Sequence, residues 1–508
     1  MDQIILLFKN FISLITPMNL LVISLASIGG IMVGALPGLT TTMGIALLTG
    51  VTYGMDHETA LLVLMGLYVG STYGGSISAI LVGIPGTGSA AATVLDGHVI
   101  AEKGHGRQAL SLATVASFIG TLFGMLCLVI FTPMLQNIAL KFTSPEYALL
   151  ALFGITICGS LSSGGNAVKG WISGFIGMAL SCVGLEGMYS YSRLSFGSVG
   201  LMGGIAMVPA MIGFFGIPSI LQELSKTEKD ADVLVTEKKE KGDTVFALLK
   251  KHFKLILQSG IIGTFIGAIP GVGEDVAAWL SYDTAKKTSK EPEKFGKGAY
   301  EGVIAAETAN NSAIGGALIP LLSLGVPGSP PTAVLLGALM LHGIRPGPML
   351  KFDAPNFIVY MSALLILATI CMRVFGYLIC QQAPKILKIP GYILMSIVGV
   401  LSVIGSYAVN NNLFDVYVML IIGFVAYFLV ECDYPAAPVV LGLILGNMFD
   451  TNLRRTFVSS HGSLMPFVTR PICIIILTMI AISVLSQVPF VQRSVKRLFS
   501  RTPQPKAK

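Results

Sequence analysis

Charged side chains are scarce in this sequence. They make up 12% of its 508 residues, whereas a soluble domain carries roughly 25%. Hydrophobic residues make up 53%, and the mean hydropathy is +0.78. So few charges cannot coat the several soluble domains that a chain of this length would otherwise form. The composition therefore excludes a multidomain soluble protein and indicates a polytopic membrane protein.

The common signatures of enzymes are also missing. The sequence has no P-loop lysine motif and no His-Glu-x-x-His motif. Gly83-x-x-Gly86-x-Gly88 does not join a strand to a helix, as a dinucleotide fingerprint would. His57-Glu58 is an isolated pair that is typical of a surface loop. We therefore expect no enzymatic activity, no ATP binding and no cofactor.

Other classes of site have little support. The seven cysteines form no Cys-x-x-Cys pair and fall mostly in apolar runs, so we expect free, buried thiols and not disulfides or metal ligands. The net charge of +7 is not carried by an aromatic-rich soluble domain, so we expect no nucleic-acid partner. The N-terminus lacks a basic region before its apolar run, and residues 4–15 are predicted to form a helix at or in the membrane.

Long apolar segments dominate the rest of the chain. A spanning helix needs about 20 such residues. Two segments, 58–84 and 298–326, end in a Gly-x-Pro-Gly break, and two more, 18–55 and 255–285, contain a Pro-Gly turn. Segment 435–448 is short and flanked by proline, and the sequence does not place it. The uninterrupted candidates are 108–131, 146–163, 170–188, 198–220, 356–381, 389–408, 413–431 and 471–490.

Basic residues cluster in three regions, 222–254, 286–297 and the tail 493–508. The positive-inside rule assigns all three to the cytoplasm. Segment 255–285 then begins and ends on the same side of the membrane. Its 31 residues are too few for two crossings, which need about 40. The segment is therefore predicted to be a re-entrant hairpin with its Pro-Gly turn at the tip.

An internal repeat relates the two halves of the chain. Three motifs recur in the same order about 240 residues apart, which indicates duplication. Counting crossings from the cytoplasmic loop at 222–254, the first hairpin enters from outside and the second from inside. Such inverted repeats are the common plan of secondary transporters. The matching motifs are Gly34-Ala-Leu-Pro-Gly38 and Gly267-Ala-Ile-Pro-Gly271, Ser71-Thr-Tyr-Gly-Gly75 and Ser312-Ala-Ile-Gly-Gly316, and Gly83-Ile-Pro-Gly86 and Gly325-Val-Pro-Gly328.

These patterns predict an all-α polytopic membrane protein with about 10–12 transmembrane segments in two inverted repeats, each with a re-entrant hairpin and a broken helix. The expected organisation is a first membrane repeat at 1–221, a cytoplasmic linker at 222–254, a second membrane repeat at 255–492 and a basic cytoplasmic tail at 493–508.

The hairpin tips and helix breaks are the candidate substrate site. Half-helix N-termini attract anions, and the hydroxyls beside them suit a carboxylate ligand. The alternatives are that proline and glycine only kink helices for packing, and that the Asn-Asn-Ser run bonds neighbouring helices. The predicted substrate-binding residues are Pro37, Gly38, Thr40, Thr41, Ser71, Thr72, Pro85, Gly86, Thr87, Ser89, Asn310, Asn311, Ser312, Pro327, Gly328 and Ser329.

Unwound carbonyls together with a carboxylate suit Na⁺, which prefers oxygen ligands. No metal other than Na⁺ is predicted. For the two acids after the second tip, the alternative role is capping of the returning half-helix. The predicted ion-binding residues are Gly34, Gly83, Gly267, Pro270, Gly271, Glu274, Asp275 and Gly325.

Four further polar residues have less support. Glu307 lies in a polar run inside an apolar segment, where an acid is expensive and is a functional candidate by default. Asp96 and His98 follow the first break and are expected close to water. Arg345 ends the equivalent stretch of the second half, and a solvated loop end is its expected role.

The chain resembles the large membrane subunit of tripartite tricarboxylate transporters, the TctA family. The resemblance covers nearly the whole chain. It rests on the stretches Gly34-Ala-Leu-Pro-Gly-Leu-Thr40, Tyr68-Val-Gly-Ser-Thr-Tyr-Gly-Gly-Ser76 through Gly83-Ile-Pro-Gly-Thr-Gly-Ser89, Gly267-Ala-Ile-Pro-Gly271, and Glu307-Thr-Ala-Asn-Asn-Ser312 through Pro327-Gly-Ser-Pro330.

The resemblance implies a permease subunit in the bacterial inner membrane. Such proteins work with a small membrane subunit of about four helices and with a periplasmic substrate-binding protein. They take up citrate or related carboxylates by symport with Na⁺ or H⁺, without ATP. Similarity in plan to another binding-protein-dependent group implies an elevator motion, with helices such as 146–163 and 170–188, or their counterparts, as a static scaffold.

Three other functions are compatible with the residues. The nearest is a stand-alone ion-coupled carboxylate carrier, because nothing in this chain requires partners. An ion channel also uses broken helices, although a repeat within one chain is not a symmetric ring. An intramembrane enzyme would need a catalytic dyad near one membrane face, and the sequence offers no convincing one.

Overall fold

A computed structural model describes residues 2–36, 38–161, 166–225, 244–387 and 391–487. The predicted site residue Pro37, most of the linker and the basic tail lie outside these described residues.

Helices make up nearly all of the described chain, which confirms the all-α polytopic class. Eight of the described helices are long and apolar enough to cross a membrane, and the chain is a multi-pass membrane protein. The helices are α1 Asp2–Leu14, α2 Pro17–Ala35, α3 Thr41–Val51, α4 His57–Leu81, α5 Ala91–Ile100, α6 Gly106–Ala139, α7 Ser144–Leu161, α8 Ala167–Ser181, α9 Val199–Met202, α10 Met207–Ser225, α11 Val245–Lys251, α12 Phe253–Gly267, α13 Gly273–Thr288, α14 Tyr300–Leu324, α15 Pro330–Leu341, α16 Leu350–Asp353, α17 Phe357–Ile386, α18 Gly391–Asn410, α19 Leu413–Glu431, α20 Ala436–Ser459, α21 Met465–Thr469 and α22 Pro471–Gln487.

Two helix boundaries differ from the sequence prediction. The segment predicted as one crossing at 198–220 is divided, because α9 ends at Met202 and α10 begins only at Met207. Gly204 between them has a φ of +82°, a conformation that ends a helix. Segment 435–448 belongs to the 24-residue helix α20. Pro435 is the N-cap of this helix and Pro438 lies in its first turn, where a missing N–H costs little.

A short hairpin follows α8. Its strands are β1, Gly184–Leu185, and β2, Ser192–Arg193, which pair antiparallel. Glu186 between them accepts hydrogen bonds from the backbone N–H groups of Met188 at 2.9 Å and Tyr189 at 2.7 Å. The bond from Tyr189 is the main reason that the pKa of the Glu186 carboxyl lies below its usual range. The turn is therefore held by an ionised carboxylate.

The chain divides into two compact units. The first comprises Met1–Lys141 and Ile205–Glu431, and the second comprises Phe142–Gly204 and Cys432–Lys508. Each unit takes segments from both halves of the chain, so the units do not coincide with the predicted repeats.

The first unit is built on α4 and α14, each of 25 residues and almost wholly buried. Helices α2 and α17 pack on α4, while α12 and α6 pack on α14. The α3 helix packs against α10, α15 and α18. Both central helices therefore have protein on all sides, and this explains why they can carry polar side chains.

The second unit is built on α20, which packs against α7 and α8, while α22 packs against α7. One of its buried carboxylates is Glu146, whose Oε1 lies 2.5 Å from Nε of Arg470. The other oxygen accepts from the N–H of Thr143 at 2.9 Å and from its hydroxyl at 2.7 Å. The carboxylate is thus fully paired inside its own unit.

Glycines bring the central helices into close contact. Gly34 lies against the backbone of Ser71, and Gly267 lies against the backbone of Ala313, so a methyl group at either glycine would overlap a carbonyl. The α2–α4 contact of the first half thus recurs as the α12–α14 contact of the second. In this packing Ser71 corresponds to Ala313 and not to Ser312. The same type of close helix contact therefore occurs in both halves, with the residue that meets the glycine shifted by one position relative to the middle motif.

The cysteine prediction holds in part. None of the seven cysteines, all of which lie in the described ranges, forms a disulfide, and Cys158, Cys371 and Cys473 are buried, whereas Cys432 is exposed.

Candidate functional site

Each predicted hairpin turn is a real interruption between two helices. In the first half, Thr40 is the N-cap of α3, and its hydroxyl oxygen accepts a hydrogen bond from the N–H of Met43 at 3.1 Å. In the second half, Gly271 and Gly273 both have a φ of +76°. Only glycine adopts such values without strain. The Pro-Gly motifs of the sequence therefore predicted both turns correctly.

The two predicted helix breaks are also present. Gly83, with a φ of +74°, follows α4, and Gly325, with a φ of +72°, follows α14. The first break continues as a short 3-10 turn, Gly88–Ala90, before α5. The second begins α15 with a capping box between Ser329 and Thr332. The described chain therefore contains two helices that stop and restart inside the protein.

Each break packs on the hairpin turn of its own half. Gly328 lies against the carbonyl of Gly267, as Gly86 lies against the carbonyl of Gly34. In the second half, the N–H of Gly273 also donates to the carbonyl of Gly328 at 3.1 Å. Main-chain contacts thus fix where the helix starts lie, independently of any side chain.

Glu274 joins elements of the two halves. Its side chain is buried, and its Oε1 accepts hydrogen bonds from the Tyr68 hydroxyl and, at 3.1 Å, from the Ser329 hydroxyl. Tyr68 belongs to α4, while Ser329 caps α15. The capping alternative is not seen, because Val272 is the N-cap and no side chain caps this start. Tyr68 was not predicted, since a tyrosine in an apolar helix carries no distinguishing signal.

Asp275 lies beside the first break. A methyl group on Gly88 would come within 2.7 Å of its Oδ2 atom. Both residues are exposed, although the adjoining Glu274 and Ser89 are buried. The second hairpin turn and the first break therefore lie next to each other, and Asp275 brings a carboxyl group to an exposed position there.

The hydroxyl candidates separate into two groups. Thr41, Thr87 and Ser89 lie at helix starts and are largely buried, and the hydroxyls of Thr87 and Ser89 are 3.1 Å apart. Ser71, Thr72 and Ser312 instead donate to carbonyls of their own helices. The hydroxyls of the first group have the position predicted for ligand contacts. The hydroxyls of the second group are already hydrogen-bonded to the backbone of their own helices.

A second buried carboxylate, Glu307, lies on α14. Its Oε1 accepts from the hydroxyls of Ser76 at 2.6 Å and Thr93 at 2.5 Å, and its Oε2 accepts from Ser117 at 2.9 Å. These residues come from α4, α5 and α6. Because they are distant in sequence from Glu307, no motif could have linked them to it.

Two asparagines follow Glu307 on the same helix, and both are fully buried. Asn311 donates to the carbonyl of Glu307 at 3.0 Å, and its Oδ1 has no partner. Neither amide atom of Asn310 has a partner. The predicted alternative, hydrogen bonding between helices, is not seen for these two side chains in the described structure. Their unpaired buried atoms leave donors and acceptors free for a ligand.

The expectation that Asp96 lies close to water is wrong, because this residue is fully buried. Its Oδ1 accepts three backbone N–H groups at 2.8 Å, from Gly296, Gly298 and Ala299. Its Oδ2 accepts from Tyr282 at 2.8 Å. Asp96 therefore fastens the loop before α14, which is a structural role.

The remaining candidates have local roles. Nδ1 of His98 lies 3.1 Å from the carbonyl of Ile80, and Arg345 is exposed as predicted. Among the described residues, no group of three or more His, Cys, Asp or Glu side chains is placed to hold a metal ion.

Residues 20–441 match the model of the tripartite tricarboxylate transporter TctA family. The chain belongs to this family. The resemblance noted in the sequence is thereby confirmed, and this TctA-family protein is the membrane subunit of a tripartite tricarboxylate-type transporter.

Two curated relatives come from Agrobacterium vitis. One, an uncharacterized 52.8 kDa protein in the TAR-I ttuC' 3' region, is 35% identical over 98% of this chain and 99% of its own length. The other, an uncharacterized protein in the TAR-II ttuC' 3' region, is 37% identical over 41% of this chain and 87% of its own length. No solved structure matches the chain.

Proposed function

We propose that this TctA-family subunit is the permease of a binding-protein-dependent secondary transporter for tricarboxylates such as citrate or related carboxylates. A cation gradient, of Na⁺ or H⁺, drives the uptake by symport. The chain works in the bacterial inner membrane with a small membrane subunit and a periplasmic substrate-binding protein. Family membership supports the plan of the transporter, and the structure of the first unit supports the location of the site.

The observation that carries the proposal is the position of Asp275 beside Gly88. It brings the start of α13 and the start of α5 together at one exposed position of the first unit. Helix N-termini carry partial positive charge and unpaired N–H groups, which attract carboxylates. Transport sites of this kind lie where broken helices meet.

The two breaks differ in their capacity for an anion. The first turn of α15 contains Pro330 and Pro331, which lack N–H groups, and the N–H of Ser329 is already bonded to Thr332 at 2.8 Å. The first break has no proline in this position and carries the hydroxyls of Thr87 and Ser89. We therefore propose that the substrate carboxylates bind on the side of the first break and the first hairpin.

The second hairpin and the second break are the proposed ion side. Buried Glu274 provides a carboxylate there, and the unwound backbone from Gly267 to Gly271 and at Gly325 provides carbonyls. A hard cation such as Na⁺ prefers such oxygen ligands. An elevator-type movement of the hairpins and broken helices would then carry substrate and ion together.

Uptake into membrane vesicles tests the proposal. Radiolabelled citrate and other carboxylates would be offered with and without a Na⁺ gradient, and with and without the cognate binding protein. Uptake that needs both is the expected result. Uptake without a binding protein would instead favour the stand-alone carrier, and ion flux without any carboxylate dependence would favour a channel.

A matched pair of variants tests the site within the same assay. Asp275→Asn removes the charge from the space beside Gly88, and we expect it to abolish the coupling between the ion gradient and uptake. Asp283→Asn, on an exposed side chain two turns later in α13, should leave coupling unchanged. Equal behaviour of the two variants would contradict the proposed location.

A further inference from the structure

We propose that Glu307 is the centre of a second cation site, for Na⁺, formed with Ser76, Thr93 and Ser117 and separate from the second hairpin. This inference rests on the proposed ion-coupled transport. It follows from the surroundings of one buried carboxylate, from two unpaired amide oxygens that follow it on the same helix and from the helices that it joins.

The first observation is a buried carboxyl group that has no cationic partner among the described residues. Glu307 is fully buried in α14, and no cationic side chain pairs with it in the described part of the chain. By contrast, buried Glu146 has Arg470, and buried Asp96 has four donors of which three are backbone N–H groups. An ionised carboxylate without a cation is costly inside a membrane protein. A bound cation would remove this cost.

The second observation is the chemistry of the shell. The three partners of Glu307 are hydroxyls, which can turn a lone pair toward a cation as readily as they donate to a carboxylate. A shell of carboxylate and hydroxyl oxygens, with no sulfur and no imidazole, suits a hard cation such as Na⁺.

The third observation is independent of the carboxylate. Asn310 and Asn311 follow Glu307 by three and four residues, so the three side chains leave α14 on one face. The Oδ1 atoms of both asparagines are buried and have no partner. Buried amide oxygens are normally bonded. Here they are spare oxygen ligands one helical turn from the carboxylate.

The location of the shell explains how an ion could be coupled to transport. Ser76 lies before the first break and Thr93 lies after it, so Glu307 holds both parts of the broken helix. Ser117 adds α6 to the same cluster. A cation at this site would tie the two parts of the broken helix to α14, and its loss would release them. Ion occupancy would thereby set the geometry of the proposed substrate site.

Binding of radioactive Na⁺ to the purified full chain tests the site without any carboxylate. We expect Glu307→Gln to weaken Na⁺ binding by at least about 10- to 100-fold, the range seen when residues that only orient the ligands of a metal site are replaced. Glu102→Gln, on an exposed side chain at the end of the first broken helix, should bind Na⁺ like the wild type. Unchanged Na⁺ binding by Glu307→Gln would overturn the proposal.

Two milder variants keep the site testable if Glu307→Gln fails to fold. Ser117→Ala and Thr93→Val each remove one hydroxyl and keep the carboxylate, and we expect each to weaken Na⁺ binding to a smaller extent with an unchanged elution profile. Wild-type Na⁺ binding by both would contradict the proposal. A Glu307→Gln protein that loses the pH dependence of uptake but keeps its Na⁺ dependence would show a proton site and would also overturn it.

Failure of the proposed Na⁺ site can be distinguished from failure of the proposed transport function. Na⁺ binding that depends on Glu307 in a chain that takes up no carboxylate would support the site and refute the substrate. Carboxylate uptake that keeps its Na⁺ dependence in Glu307→Gln would refute the site and leave the transport proposal intact.

Discussion

Single buried hydroxyls join the two halves of this protein. The Tyr68 hydroxyl reaches Glu274 on the second hairpin, and the Ser76 hydroxyl reaches Glu307 on α14. Both donors lie on α4, eight residues apart, and bond to acids of the other half. A buried hydrogen bond to a charged group contributes more than one between neutral groups. We therefore expect these contacts to influence function more than the many hydroxyls that bond within their own helix.

Replacing Tyr68 by Phe tests this view. The variant removes one of two side-chain donors to Glu274 and keeps the ring, so we expect uptake at low substrate concentration to fall about 10- to 100-fold, corresponding to ~1–3 kcal/mol. The measurement is the initial rate of carboxylate uptake in vesicles.

Tyr73→Phe is the matched control. This tyrosine lies on the same helix and is equally buried, but its hydroxyl lies 2.8 Å from Thr114 and 3.0 Å from Cys380. We expect near-normal uptake from this variant. If both variants lose uptake equally, the contact with Glu274 has no special role.

The residues of the site were only partly predictable. The acids Glu274, Asp275 and Glu307 were recognisable because charge in an apolar segment is rare. Their partners were not, because Tyr68, Thr93 and Ser117 are ordinary residues whose relevance depends on contacts across more than one helix. The prediction for Asp96 was wrong in another way. Its position after a break suggested that it is exposed to water, whereas the loop before α14 covers it.

At the level of elements, close helix contacts depend on glycines whose neighbours are backbone atoms. The turns at Gly271 and Gly83 were predictable, because a Pro-Gly pair within an apolar segment strongly favours a turn. Helix α20 was not, because segment 435–448 is short and flanked by proline and the sequence did not place it. In the structure Pro435 is the N-cap and the buried Pro438 lies in the first turn, where proline is tolerated.

Two alanine substitutions in α2 test the packing argument. Gly34→Ala places a methyl group against the Ser71 carbonyl, whereas Gly29→Ala meets nothing within 4 Å. We expect Gly34→Ala to lower the yield and the melting temperature of the purified protein, because the helices must separate. Gly29→Ala should be neutral or slightly stabilising, because alanine favours helix. A stable Gly34→Ala protein would show that α2 and α4 can move apart at little cost.

At the level of the whole molecule, the sequence predicted two repeats that follow one another along the chain. The structure instead has two compact units, each of which takes segments from both halves. The motifs that reveal duplication are local, such as Gly34-Ala-Leu-Pro-Gly38, and survive in sequence. The packing of α20 on α7 and α8 depends on contacts between distant segments, for which a single sequence carries no signal. The opposite membrane orientation of the repeats remains a prediction.

Labelling with a membrane-impermeant thiol reagent tests that orientation. In a cysteine-free background, Glu58→Cys lies in the first turn of α4, and Lys290→Cys lies in the loop after α13. We expect intact cells to label only the first and permeabilised cells to label both, because the positive-inside rule predicts that the lysine-rich loop is cytoplasmic. Labelling of both from outside would contradict inverted repeats.

The composition of the second unit bears on how the protein is made. Helices α7 and α8 leave the ribosome about 250 residues before α20, the helix on which they pack. At a synthesis rate of roughly 5–20 residues per second, they wait for roughly 10–50 s in the bilayer. During that interval the Glu146 carboxylate lacks Arg470, which is made later still. In the nascent chain the Glu146 carboxylate therefore has to be stabilised without its arginine partner. A product truncated before α20 would lack this partner permanently and would be a substrate for membrane quality control.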